Sequence, residues 1–427
     1  MTMEKQDTIW RRTARGSFRS TASLPEKVEV AIIGGGFSGL TTALHLAQAG
    51  KGVAVLERSF LGEGASGQNA GFVVPNFALA DPKAVIEKLG TEKGTALLDL
   101  VSSGADKVFD TIRQYGISCD AEQTGWLNPA ATAKDAETLR ERVAYWQSRN
   151  RPVRYLSKEE IHQQTGISLY EGALLDESGG TIHPLDYLFG LARAVESHGG
   201  TVHEDSCVKA VKQANGAWHI KLEGGQLVSA KQIVCCTNAF TEGTSRKLGA
   251  TTVPLRVYQV ATRPMDQSVV DRIAPDRRCV GDTRKNLFSY RLDRENRLIS
   301  GGMSALPFGA KQRLGKAIVR RLAEELDLRK LPEIEVVWTG VAAITTDFLP
   351  RIHQMGQNGF AGIGCNGRGI AMTAQLGKVL ADTVLGEPME KQAIPLRRVQ
   401  GLPFHSLLPI AASANLIKAR ISDKLFR

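Results

Sequence analysis

The β-branched run KVEVAIIGGG leads directly into glycine, and a helical stretch from Ser38 to Gln48 follows it. Gly34, Gly36 and Gly39 form G-x-G-x-x-G at that junction. Each glycine has a separate task. Gly34 permits a tight turn, Gly36 lets a pyrophosphate reach the backbone, and Gly39 lets the helix sit close to the strand. The helix that opens at Phe37 and Ser38 presents free N–H groups and a positive partial charge to phosphate. Gly50 ends the helix, and GVAVLE (52–57) is a second apolar strand closed by Glu57 and Arg58. An acid at that point, about 20 residues beyond the glycines, accepts hydrogen bonds from ribose hydroxyls. Strand, glycine turn, helix, strand and acid together predict a dinucleotide-binding βαβ unit.

A second G-x-G-x-x-G stands at Gly362, Gly364 and Gly367, but no strand ending in an acid follows its helix. It has two readings. One is a plain strand-to-helix connection. In the other, Gly367 and Gly369 bring a helix N-terminus against a flat ligand, where its dipole stabilises negative charge on the pyrimidine edge of a reduced flavin. With one complete fingerprint there is no second nucleotide domain for NAD(P)H, which favours an organic electron donor. α/β segments lie at both ends of the chain and antiparallel-looking strands lie between them. The expected class is therefore α/β with an α+β portion: a Rossmann-like nucleotide-binding domain assembled from discontinuous segments, with a second, antiparallel-looking domain inserted; the family resemblance given below makes these an FAD-binding domain and an antiparallel-sheet substrate domain. The expected boundaries are 26–80, 155–240 and 335–390 for the first and 81–154 and 241–334 for the second. Residues 1–25 are expected to form an arm and 391–427 an extension.

Composition narrows the partners. The chain has 427 residues, 42% apolar and 23% charged, which is a globular balance. A net charge of +10 permits nucleic acid or anionic membrane, but no long basic block is present, so scattered surface charge is the expectation and nucleic acid is not expected. Six cysteines show neither C-x-x-C nor zinc spacing. No disulfide framework and no metal are expected, and the chain reads as cytoplasmic. No leader-like apolar region precedes residue 25, and no run approaches the ~20 apolar residues of a membrane span. The end of the chain, 402–427, is apolar then basic, a pattern compatible with a membrane surface; packing on the protein is the preferred expectation.

Four stretches occur in series: VAIIGGGFSGLTTALHLAQAGKGVAVLE, GASGQNAGF (64–72), GGTIHPLDYLFGLARA (179–194) and GFAGIGCNGRGIAMTAQLGKVLAD (359–382). In this order they resemble the FAD-dependent oxidoreductases of the D-amino-acid oxidase type, in particular the branch that includes gamma-glutamylputrescine oxidase. The resemblance implies FAD, with Gly34, Gly36, Gly39 and Glu57 at its ADP half. It puts Ser66, Asn69, Ala70 and Gly71 in the stretch lining the flavin end and the backbone of Val208 at the adenine. Thr237 and Asn238 fall near the ADP. Gly364, Gly367, Arg368, Gly369 and Ile370 fall where the family meets the flavin pyrimidine. Three departures stand out. Arg368 replaces a common histidine; Ala371 stands where sarcosine-oxidase-type relatives hold the substrate carboxylate with lysine; and Ile299 stands where they carry a lysine over the flavin. VVWTGVAAIT has no attachment cysteine, which implies non-covalent FAD.

The expected reaction is oxidation of a C–N bond in an amine, polyamine derivative, amino acid or opine. A hydride passes to flavin N5, the imine is hydrolysed, and oxygen or another acceptor takes the electrons. Such chemistry rests on positioning and desolvation, and an apolar, cation-lined pocket favours the neutral amine. Candidate catalytic residues are Arg368, His183, Tyr258 and Tyr290, with Trp126 and Arg291 as further pocket candidates. Each of the latter five has an ordinary alternative: core packing for the aromatic residues, helix capping for His183, a surface hairpin charge for Arg291. Two rival classes remain open at this point, a flavin-bearing enzyme or subunit acting on RNA and an NAD-dependent dehydrogenase with a single Rossmann domain.

Overall fold

The computed structural model describes residues 6–77, 80–241, 243–304 and 309–405, with Leu408 and Lys418. Most of the C-terminal run 402–427 lies outside the described residues. Two large sheets organise the chain. In the first, Lys27–Ile33 runs parallel to Val53–Leu56 on one side and to Leu227–Cys235 on the other. Thr201–His203 extends one edge; Gly359–Ile363, Arg351–Gly356 and Leu396–Arg398 extend the other. Parallel strands need crossover connections and cover on both faces. Val30, Ala31, Ile32 and Ile33 are accordingly buried without alternation. Helices Phe37–Gln48, Pro184–Ser197 and Gly369–Leu385 supply cover. The strands Val208–Ala214 and Ala217–Leu222 form an antiparallel meander that joins Leu227–Cys235.

The second sheet runs Ile334–Ile344, Val253–Pro264, Arg297–Met303, Ser289–Leu292, Cys279–Gly281, Trp126–Pro129, Ala173–Asp176 and Val153–Leu156. It is antiparallel except where Cys279–Gly281 meets Trp126–Pro129. Hydrogen bonding puts Val153–Leu156, Ala173–Asp176 and Ile334–Ile344 in this sheet, so the antiparallel portion takes residues from beyond 81–154 and 241–334. Helix Ala310–Glu325 covers one face, where Leu314, Ile318 and Leu322 meet Tyr258, Val260 and Leu298 in one apolar cluster. The other face looks toward the first sheet.

The N-terminal arm is docked on the body. Thr8 caps a short helix, Ile9–Thr13, whose Ile9 and Trp10 are buried. All six cysteines are free thiols. Among the described residues no helix is long and apolar enough to cross a membrane.

Candidate active site

A cavity of about 1420 Å³ runs between the two sheets and joins both glycine clusters. At its first end the strand Lys27–Ile33 delivers Gly34 in the left-handed region, φ +105°, and a Cβ there would come within 2.9 Å of the Cys236 carbonyl oxygen. Gly36 is the N-cap of Phe37–Gln48 and has no side chain to satisfy the first turn. Ser66 Oγ accepts one of those amides, Phe37 N–H, at 3.0 Å. Gly34, Gly36, Phe37 and Ser38 line the cavity. Gly39 does not; a Cβ there would strike the Gly34 carbonyl, so its hydrogen is what lets helix and turn touch.

Glu57 ends the neighbouring strand inside the same cavity. Its carboxylate accepts from Gly35 N–H at 2.8 Å and from Ser59 N–H at 3.3 Å. Burial raises its pKa, opposed by those backbone donors. Arg58, Val208, Thr237 and Asn238 also line this end, with the Arg58 guanidinium 4.9 Å from the Phe240 ring centroid. Thr237 Oγ1 is buried with no hydrogen-bond partner.

At the second end, Gly364 and Gly367 take φ +85° and +80°, and helix Gly369–Leu385 starts without a side-chain cap. Gly364, Gly367, Arg368, Gly369 and Ile370 all line the cavity. Gly377 fixes this arrangement: a Cβ there would lie 2.6 Å from Thr41 Cβ and 3.0 Å from the Ser38 carbonyl. The close crossing lets both helices, neither capped by its own N-cap side chain, present their N-termini to one space. Such termini favour anions and electron-rich ring edges.

The loop 62–72 closes one wall. Ser66, Gln68, Asn69 and Ala70 line the cavity. Asn69 Nδ2 donates to the Ala65 and Ser66 carbonyls, and its Oδ1 accepts from Gly71 N–H at 2.8 Å. Gly71 itself does not line the cavity; it makes the turn, at φ +78°.

On the second-sheet side the Arg368 guanidinium lies over Trp126, 5.4 Å from the ring centroid. Burial brings its pKa down to about 10. Arg368 Nε, Trp126 Nε1, Gln259 Oε1 and Asn76 Oδ1 are buried and lack hydrogen-bond partners, and all four residues line the cavity. Buried polar atoms left unpaired are costly. Thr237 at one end and these four at the other therefore fit a polar ligand running the length of the cavity, as FAD with a substrate beside it would.

The other proposed catalytic residues stand elsewhere. Tyr258 shares a strand with Val257 and Gln259, which face the cavity; strand alternation turns its ring the opposite way, into the core beneath helix Ala310–Glu325. Tyr290 is fully buried in that core and donates its hydroxyl to the Ile273 carbonyl at 2.7 Å. His183 is the N-cap of Pro184–Ser197: Nδ1 accepts from Asp186 N–H at 3.1 Å and the ring meets Trp10 edge-on. Burial pulls its pKa down to about 4. Arg291, a pocket candidate with a surface hairpin charge as its alternative, is neither: it does not line the cavity, is buried and donates to the Gly71 and Ile182 carbonyls at 3.0 and 2.7 Å. Ile299 and Ala371 are buried away from the cavity; on the strand of Ile299 it is Gly301, Gly302 and Met303 that line it. Gln259, Asn128 and Asn76 were missed. A single amide in the apolar run VPLRVYQVA was the available signal for Gln259.

A family model described as FAD dependent oxidoreductase, DAO, matches residues 29–383. The chain is 31% identical to gamma-glutamylputrescine oxidoreductase of Escherichia coli (strain K12), over 84% of each protein. Its fold is similar to that of glycine oxidase from Geobacillus kaustophilus, with TM-score 0.69 and 21% identity over 85% of this chain and 96% of that one. L-proline dehydrogenase from P. horikoshii gives TM-score 0.70 and 20% identity over 84% and 94%. These matches decide for FAD over NAD, which the first fingerprint alone leaves open. The chain belongs to the DAO family of FAD-dependent oxidoreductases.

Proposed function

We propose that this enzyme oxidises a C–N bond of a small amine that carries an anionic group, and that Arg368 holds that group. The observation that carries the reading is Arg368: half-buried, its guanidinium over the Trp126 ring and its Nε buried and unpartnered, at the glycines of the second helix N-terminus. A desolvated guanidinium binds carboxylate strongly and directionally. The similarity to an oxidoreductase named for gamma-glutamylputrescine, an amine bearing a glutamyl group, supports this substrate class.

The same chain's residues divide the work. Gly34, Gly36, Phe37 and Ser38 would receive the pyrophosphate, Glu57 the ribose, and Val208, Thr237 and Asn238 the adenosine end. Ser66, Asn69, Ala70 and the turn Gly364–Ile370 would enclose the flavin. FAD, when bound, supplies the two-electron acceptor. Arg368 and Trp126 then orient the substrate by its anion, and Gln259 and Asn128 offer neutral hydrogen-bonding groups beside it. A cation near the amine, in a space shielded from water, lowers the amine's pKa and favours the neutral form that oxidation requires. No side chain need abstract a proton from carbon; orientation and desolvation carry the barrier lowering. The imine produced is hydrolysed to a carbonyl compound and an amine; oxygen or another carrier would be the final acceptor of the two electrons.

The test is an anaerobic reduction screen of the purified holoenzyme with amines, N-alkyl amino acids, D-amino acids and opines, followed by air. Bleaching of the visible flavin band by anion-bearing amines is expected. A panel that leaves the band untouched removes the amine assignment, and recovery of colour in air identifies oxygen as an acceptor.

A further inference from the structure

Three buried donors from three distant parts of the chain converge on three carbonyls of the loop 62–72, those of Gln68, Asn69 and Gly71. Trp338 Nε1, from the second sheet, donates to the Gln68 carbonyl at 2.9 Å. Trp10 Nε1, from the N-terminal arm, donates to the Asn69 carbonyl at 2.7 Å. Arg291 Nη1 donates to the Gly71 carbonyl at 3.0 Å. The three brace one another. The two indoles meet edge-on with centroids 6.2 Å apart, and the Arg291 guanidinium lies 5.6 Å from the Trp10 ring centroid. Trp10 is 1% exposed, Trp338 0% and Arg291 2%.

None of the three lines the cavity, but two of the residues they hold, Gln68 and Asn69, do, and Gly71 makes the turn beside them. The Asn69 side chain ties Ala65, Ser66 and Gly71 together, and Ser66 Oγ reaches Phe37 N–H at the fingerprint helix. A shift at the Asn69 carbonyl therefore reaches both the flavin wall and the phosphate turn. The arm that brings Trp10 is fastened elsewhere as well. Thr339 N–H donates to Gln6 Oε1 at 2.6 Å, and Arg15 N–H donates to Asp186 Oδ1 at 3.0 Å. It is anchored independently of the loop it holds.

We propose that Trp10 is a positioning residue for the flavin: the N-terminal arm, through Trp10 and with Trp338 and Arg291, clamps the cofactor loop in its binding shape. The arm is thus part of the cofactor site although it precedes the βαβ unit. The inference rests on the assignment of Ser66–Ala70 to the flavin wall made above.

The test compares W10F, which keeps a ring but removes the donor, with R12A, which breaks arm contacts to Asp7 and Glu335 away from the loop. Loss of one buried donor, leaving the Asn69 carbonyl unpaired, is expected to weaken FAD retention by about tenfold in W10F. The flavin absorption bands and reduction potential should shift with it. R12A should bind FAD as the unaltered protein does. A W10F protein that melts earlier yet keeps FAD affinity, absorption bands and potential unchanged overturns the clamp and leaves Trp10 a packing residue. Should W10F not accumulate folded, W338F carries the test, with the same shift expected and unaltered flavin properties overturning the proposal. If G36V loses FAD while W10F and W338F do not, the clamp fails and the flavin site stands. If G36V also retains FAD, the site assignment itself fails.

Discussion

The two glycine clusters share a spacing and differ in what surrounds them. In the first, backbone meets backbone: a side chain at Gly34 would run into the Cys236 carbonyl, and one at Gly39 into the Gly34 carbonyl. In the second, a Cβ on Gly367 would meet nothing within 4 Å, and one on Gly369 only Cys365 Sγ at 3.8 Å. The first cluster is a closed steric device whose three glycines lie within a few residues of one another and close against the chain at Cys236. The second is tight against side chains at its strand end, where a Cβ on Gly362 would meet Leu380 and one on Gly364 Thr345, and open only at Gly367, whose φ of +80° favours glycine; there it leads to Arg368, whose neighbours Trp126 and Cys279 belong to the other sheet. In the proposed function one repeated motif would therefore serve two purposes, holding a phosphate and presenting a reactive end to substrate.

The largest expected effect breaks the first cluster. G36V puts a branched side chain where the pyrophosphate must approach, and the purified protein should be folded and colourless. A yellow G36V protein would show that the clusters do not divide in this way. The next effect falls on the second cluster alone. R368Q should retain FAD but raise KM for anion-bearing amines by about ten- to a hundredfold, the range for one lost charge-assisted hydrogen bond. Amines without an anion should change little; a uniform loss across both kinds would put Arg368 at the flavin and not at the substrate. The smallest effect belongs to neither cluster and sets the background for both. His183 stays unprotonated in the folded protein down to about pH 4, while the unfolded chain takes up the proton near the usual value of 6.5. Its contribution to stability is complete above pH 6.5 and lost as pH falls toward 4. H183N, which can still accept from Asp186 N–H, should flatten the fall in melting temperature over that window; an unchanged profile would mean other groups govern it.

These comparisons also explain what the sequence could disclose. Gly34, Gly36, Gly39 and Glu57 were legible because their meaning lies in short spacing along one βαβ unit. Arg368 was legible by its place between glycines, but its stacking on Trp126 was not, since that ring arrives from a different sheet. Tyr258 was misplaced because residues 258–262 of its strand are all buried, so that stretch does not reveal which side meets the cavity. Arg291 could not be told from a surface charge, because the carbonyls that hold it, Gly71 and Ile182, are remote in sequence. Trp10 sat in a segment with no extended periodicity, and its partner Asn69 is 59 residues away. Local chemistry announces itself, whereas a contact made by topology needs the fold.

The most direct measurement is a crystal structure of the yellow holoenzyme, read for the position of the isoalloxazine ring. The expected result is a ring against Gly367–Ile370 with one face toward Trp126 and Arg368, and a pyrophosphate on the amides that follow Gly34. A ring bound away from Gly367, or a pyrophosphate away from that first turn, would contradict the division of labour between the two clusters.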